Sequence, residues 1–169
     1  LREYAKSKGL DDLQPWDMAF YSEKLRQEKY SYSEEELRPY FPENKVIEGM
    51  FECAHRLYSI SLKQRLGVDT WNENVKCFDV YEDKFGQRIG SLYMDLYARP
   101  GKNGGAWMDE CLTRRYRFDG ALQLPVTYLV CNFTRPVDGK ESQLTHDEVV
   151  TLFHEFGHSL NHLLTKIDI

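Results

Sequence analysis

The sequence predicts an α+β fold that is mainly helical, with a small antiparallel β-sheet set between a helical front and one long helix at the end. Three observations carry that expectation. Apolar residues recur at helical spacing through residues 1–66, short β-branched and aromatic runs occupy 75–134, and a capped amphipathic pattern runs over 146–167. The chain has 169 residues, 41% of them hydrophobic and 29% charged, which is enough to bury a core and too apolar for disorder.

Residues 1–9 read as the last turns of a helix, with Leu1, Tyr4 and Ala5 on one face and Lys8-Gly9 as its stop. Pro15 to Tyr30 is periodic in Trp16, Phe20, Tyr21 and Leu25, the spacing of an amphipathic helix. Ser33 followed by Glu36 makes a capping box for a short helix that ends near Pro39 and Pro42. Lys45 to Arg65 repeats apolar residues at Val46, Ile47, Met50, Phe51, Ala54, Leu57, Tyr58 and Leu62, so one helix is expected there, with His55 a polar group on it rather than a ligand.

After Gly67 the texture changes. Val75 to Tyr81, Ile89 to Ala98 and Leu122 to Phe133 read as strands. In the second, Leu92, Met94, Leu96 and Ala98 alternate with Ser91, Tyr93, Asp95 and Tyr97, the period of a half-buried strand. Residues 100–105 and 135–140 are turns by their Gly, Pro, Asn and Asp content.

The last helix is the informative one. Thr145 and Glu148 form a capping box, and Asp147 and Glu148 put negative charge where the helix dipole favours it. Val149, Leu152, Phe153, Phe156, Leu160, Leu163, Leu164 and Ile167 then make one apolar sector, with His154 and His158 on the opposite side. Two histidines at i and i+4 stand one turn apart on one helix face, so their ring nitrogens can converge on a single ion at about 2.0–2.1 Å each. Glu155 beside them suits a general base acting on water, and the H-E-x-x-H pattern as a whole suits zinc-assisted hydrolysis of a peptide bond. The plain alternative is a pair of surface histidines with an ordinary glutamate between them. His162 lies ~12 Å along the axis from His154, too far to share the ion, and is expected to sit behind the site or at the surface. Gly157 inside a helix suggests a close approach by a neighbouring backbone or by substrate.

Composition narrows the partners. The net charge of -5, with no Lys/Arg cluster longer than a pair or so, leaves no electrostatic footprint for nucleic acid or for an anionic membrane. No apolar run approaches the ~18 residues of a membrane span. Cys53, Cys77, Cys111 and Cys131 are far apart with no C-x-x-C among them, which fits free thiols in a reducing compartment such as the cytoplasm. The chain starts inside one helical pattern and stops inside another, so an incomplete catalytic domain, a piece of a longer protein, is expected.

Residues 146–158 resemble the active-site helix of the thimet oligopeptidase family of zinc metallopeptidases. The segments Leu13-Gln14-Pro15-Trp16-Asp17, Tyr93-Met94-Asp95-Leu96-Tyr97 and Gly104-Gly105-Ala106-Trp107-Met108-Asp109 resemble it too, in the same order along nearly the whole chain. The resemblance implies a zincin-like active-site helix in a largely helical, two-lobed shell around a deep channel. It implies one Zn2+, with His154 and His158 as metal ligands, Glu155 as the catalytic base, and short peptides as substrates. The third ligand would be a Glu on a later helix, beyond this sequence, so the piece alone is expected to be inactive and open to self-association. Gly104, Gly105 and Ala106 would lie along the substrate backbone, where small residues allow close approach; a plain glycine turn is the other reading. Two further alternatives are a zinc peptidase of a different HExxH family and a catalytically silent helical piece that packs on a partner.

Overall fold

The computed structural model describes residues 1–31, 34–136 and 141–167, and of Glu34 the backbone alone. Helix α1 (Arg2–Ser7) packs against α2 (Met18–Tyr30), with the Tyr4 ring edge-on to Tyr21 at 6.5 Å and a Lys8–Glu28 ion pair at 2.6 Å. The helix expected from Pro15 opens as a 3-10 turn, Pro15–Asp17, and its apolar stripe stays largely uncovered, with Trp16 78% and Phe20 56% exposed. A short α3 (Glu34–Leu37) runs into a 3-10 turn at Arg38–Tyr40. Ser33, the expected cap, lies outside the described residues, as do residues 137–140 of the expected second turn.

Helix α4 (Glu43–Tyr58) is shorter than the pattern from Lys45 to Arg65 suggests. Ser59 takes a left-handed conformation at φ 53 and ends it, its N–H donating to the His55 carbonyl at 2.8 Å. Ile60–Arg65 is strand β1 instead, and Ile60 and Leu62 reach the core at the period of two. His55 behaves as read, its Nδ1 paired with Asp83 at 2.8 Å.

The other strands are β2 (Lys76–Glu82), β3 (Gln87–Tyr97), β4 (Trp107–Leu112), β5 (Arg115–Tyr116), β6 (Leu122–Gln123) and β7 (Val126–Phe133). Four of them join β1 in one sheet, in the order β1-β2-β3-β7-β4, while β5 and β6 pair by themselves. The sheet is mixed rather than antiparallel, because β3 and β7 run parallel. The long excursion between them carries β4 out and back before the chain re-enters beside β3. The strand expected over Leu122–Phe133 is divided at Pro125, which has no N–H to donate to a ladder; its carbonyl instead accepts from Ser91 N at 3.0 Å.

Helices α4 and α5 (His146–Leu164) cover one sheet face. Met50 and Ala54 of α4, Leu152, Phe156 and Leu163 of α5, and Val80, Leu92, Met94 and Leu129 of the sheet are buried together. Each such large side chain contributes on the order of 2 kcal/mol by leaving water. Phe51 joins the layers, 5.0 Å from the Phe78 ring and 5.9 Å from Phe156. Gly90 lets α5 settle on β3, since a Cβ there would stand 2.6 Å from Leu163 Cδ2.

The opposite face is covered as well, so β3 is not half-buried: Ser91 and Asp95 are both buried. Ser91 Oγ donates to Asp79 at 2.7 Å. Asp95 accepts from Arg99 at 2.6 and 2.7 Å, from Lys102 at 2.9 Å and from Trp71 Nε1 at 2.8 Å. Lys102 also donates to the carbonyls of Tyr97 and Cys131, which fastens the loop before β4 onto the sheet. Among the described residues no helix is long and apolar enough to cross a membrane.

Candidate metal centre

The site is built on α5, whose start is fixed twice. Thr145 Oγ1 accepts from Glu148 N at 3.0 Å, and Glu148 Oε2 accepts from Thr145 N at 2.8 Å, the reciprocal bonds of a capping box. Just ahead of the cap, Leu144 N donates to the Phe41 carbonyl and Glu43 N to the Ser142 carbonyl, each at 2.9 Å, so the entrances of α4 and α5 are tied together. The helix ends at Leu164, earlier than the expected 167, because Thr165 turns to an extended conformation and leaves Ile167 exposed. Its sheet-facing side is also narrower than the expected sector. Phe153 sits at the exposed rim, while Glu155 and Ser159 are buried beside Leu152, Phe156 and Leu160.

His154 and His158 are exposed, and their Nε2 atoms lie 3.1 Å apart with the rings near perpendicular at 85°. Two nitrogens at ~2.05 Å from a tetrahedral zinc would stand about 3.3 Å apart. The observed bite therefore suits two of the ligands of such an ion with an adjustment of a few tenths of an ångström. Among the described residues no group of three His, Cys, Asp or Glu side chains could hold a metal. Asp168 lies outside the described residues.

Glu155 differs from its neighbours in being turned toward the sheet and only 9% exposed. Its backbone carbonyl accepts from Ser159 Oγ at 3.1 Å. Its charge is felt by Cys131 of β7: burial first, and the Glu155 carboxylate second, push that thiol up to about 12. Gly157 is exposed, and nothing in the described structure comes within 4 Å of a Cβ built there, so no neighbouring backbone of this chain accounts for the glycine.

Gly104 and Gly105 form the bend that leads into β4, with Gly105 in a left-handed conformation at φ 92. Asn132 Nδ2 donates to the carbonyls of Asn103 and Gly105, both at 2.8 Å. Trp107 pairs with Val130, and continuing that register one residue places Ala106 opposite Cys131, the residue that senses Glu155. Strand β4, which follows the bend, also packs against α5. Strand β4 pairs with β7 on one side and ends the sheet on the other.

His162 is used elsewhere. Its Nε2 lies 2.8 Å from the Leu112 carbonyl oxygen and its Nδ1 3.3 Å from Glu110 Oε1. Sequence spacing removed it from the metal and left it without a partner; the burial of Glu155 and the Glu110–His162 pair depend on where β4 docks, which no local pattern encodes.

A family model described as peptidase family M3 matches residues 1–169. The chain is 56% identical over 169 residues to oligopeptidase A of Escherichia coli, covering 99% of this chain and 25% of that protein. It is 44% identical over 176 residues to the organellar (chloroplastic/mitochondrial) oligopeptidase A of Arabidopsis thaliana, covering 99% of this chain and 22% of that protein. To the dipeptidyl carboxypeptidase of Salmonella typhimurium it is 40% identical over 152 residues, covering 89% of this chain and 22% of that protein. The chain spans about a quarter of the length of the curated relatives it matches.

Proposed function

This chain belongs to peptidase family M3, and from that premise we propose that the intact protein is a zinc-dependent oligopeptidase, hydrolysing peptide bonds in short peptides. One observation supports the reading most: two imidazoles one turn apart on one helix converge at 3.1 Å, with Glu155 next to the first of them in the chain. Membership in the family sets aside a zinc peptidase of a different HExxH family.

His154 and His158 would hold the ion through their Nε2 atoms, with the remaining protein ligand supplied from outside the described residues. Bound there, zinc supplies a Lewis acid that polarises the scissile carbonyl and makes water acidic enough to attack near neutral pH. Glu155 takes the proton from the attacking water and returns it to the leaving amine, and among the described residues no side chain competes for its oxygens by a hydrogen bond. The open edge of β4 and the small residues Gly104, Gly105 and Ala106 align the peptide, because an extended backbone can add to an unpaired strand and only small side chains let it come close. A peptide in that position is one strand's spacing, about 4.8 Å, from β4. The oligopeptidase names of the relatives support short peptides as substrates, and four free cysteines support a reducing compartment such as the cytoplasm.

The test is zinc analysis of the intact protein together with cleavage of a short peptide panel, with and without a chelator. Stoichiometric zinc and chelator-sensitive cleavage are expected. Cleavage that persists after complete zinc removal rejects the reading.

A further inference from the structure

The ring of His162 is nearly buried, its side chain 8% exposed, and its two nitrogens meet β4 at two places, the Leu112 carbonyl at 2.8 Å and the Glu110 carboxylate at 3.3 Å. The helix that carries the two metal-binding imidazoles therefore reaches out, one turn beyond them, to grip the end of the edge strand. The strand's other end is held by a different device, Asn132 bonded to Gly105 and Asn103. Between the two anchors one edge of β4 is open.

We infer that His162 is a positioning residue: it holds the Leu112 end of β4 at a set distance from His154 and His158, so that peptides long enough to run the length of that strand bind in one register. The inference rests on the reading of β4 as the peptide-binding edge. Without His162 the Leu112 end of β4, which lies past the irregularity between Glu110 and Leu112 in the ladder with β7, is the part that gives, while the stretch from Trp107 to Glu110 stays on the ladder and beside the Asn132 anchor. An extended chain advances ~3.4 Å per residue, so Leu112 lies about 20 Å along the strand from Ala106. A tripeptide bound near Ala106 stops well short of Leu112, whereas a peptide of about eight residues reaches toward it. The effect of releasing His162 must therefore depend on substrate length, which distinguishes positioning from a general loss of fold.

The experiment uses the intact protein with His162→Ala and His162→Gln, reading zinc content together with kcat and KM for tripeptides and for peptides of about eight residues. In H162A the KM of the longer peptides should rise about fivefold more than that of the tripeptides, the size of one lost hydrogen bond. Zinc content should stay at the parent level. H162Q, whose amide can still donate to the Leu112 carbonyl, should recover most of the difference. Equal KM changes at both lengths, loss of zinc, or a glutamine variant no better than alanine would each overturn the inference. Should H162A not fold, Glu110→Gln, at a carboxylate on the exposed side of the pair, is read the same way: a length-dependent KM rise supports the positioning role and none overturns it. A parent enzyme without zinc or without peptidase activity overturns the reading of the site and this inference with it. A parent that cleaves both lengths, with H162A identical to it, overturns this inference alone.

Discussion

The roles proposed for His154, Glu155 and His158 rest on a spacing written in five consecutive residues, which is why they could be read from the sequence. Their surroundings could not. Glu155 is buried where α5 packs on β7 and β4, strands more than twenty residues upstream, a relation the helix pattern does not contain. Glu155→Gln in the intact protein should keep its zinc and lose about 100-fold or more in kcat, because an amide neither takes the water's proton nor delivers one to the leaving amine. Activity within about tenfold of the parent would remove the general-base role. His154→Ala or His158→Ala should lose the metal itself, and full zinc occupancy in either would strike that residue from the ligand set. Gly157 stands exposed on the same helix with open space where a Cβ would go, so Gly157→Ala should raise stability by about 1 kcal/mol, seen as a higher Tm. An activity loss in that stable variant would indicate that substrate, rather than this chain's own backbone, needs the room.

At the scale of elements, the helices with local signals were legible and the pairings were not. The capping box at Thr145 announced α5 because both partners sit within one turn, and the structure forms both of its hydrogen bonds. Thr145→Ala should therefore cost about 1 kcal/mol of stability, measured by urea unfolding. By contrast, Ile60 and Leu62 satisfy a helical and a strand period equally, and only pairing with β2, Leu62 opposite Val80, decides between them. The parallel pairing of β3 with β7 and the burial of Asp95 are likewise products of distant residues. Burial alone would raise the Asp95 pKa, but hydrogen bonds from Arg99, Lys102 and Trp71 outweigh it and hold the carboxyl down at about 2. The folded value lies below the unfolded one, near 3.9, so this contribution is complete above pH ~4 and is lost as the pH falls toward 2. Asp95→Asn should be less stable than the parent at neutral pH and should show a shallower loss of stability between about pH 4 and pH 2. Parallel acid profiles for the two proteins would show that the carboxylate's pairing carries no net stability.

For the molecule as a whole, the sheet and its two covering helices form a packed unit, yet large apolar side chains remain in water around it. Trp16 and Phe20 on the α1–α2 pair, Tyr40 before α4, Leu57 on its outer side, Leu66 after β1 and Phe118 in the β5–β6 hairpin are all exposed. Scattered singly they would mean little, but Trp16 of the 3-10 turn and Met18 and Phe20 at the start of α2 are all exposed within five residues, the kind of surface that draws a second apolar face onto it. The candidate metal site has the same character, since two imidazoles converge while no third ligand joins them among the described residues. A catalytic zinc asks for three protein ligands and an open position, and with two imidazoles the remaining protein position falls to solvent. The 169-residue chain expressed by itself is therefore expected to bind zinc weakly, to show no peptidase activity, and to self-associate as its concentration rises. Calorimetric zinc titration, a peptide-cleavage assay and sedimentation velocity on that chain check the three outcomes separately. Tight stoichiometric zinc would mean that a third ligand lies within these residues, and peptide cleavage would mean that these residues suffice for the reaction. A monomer at high concentration would mean that exposed Trp16, Met18 and Phe20 are stable in water without a partner.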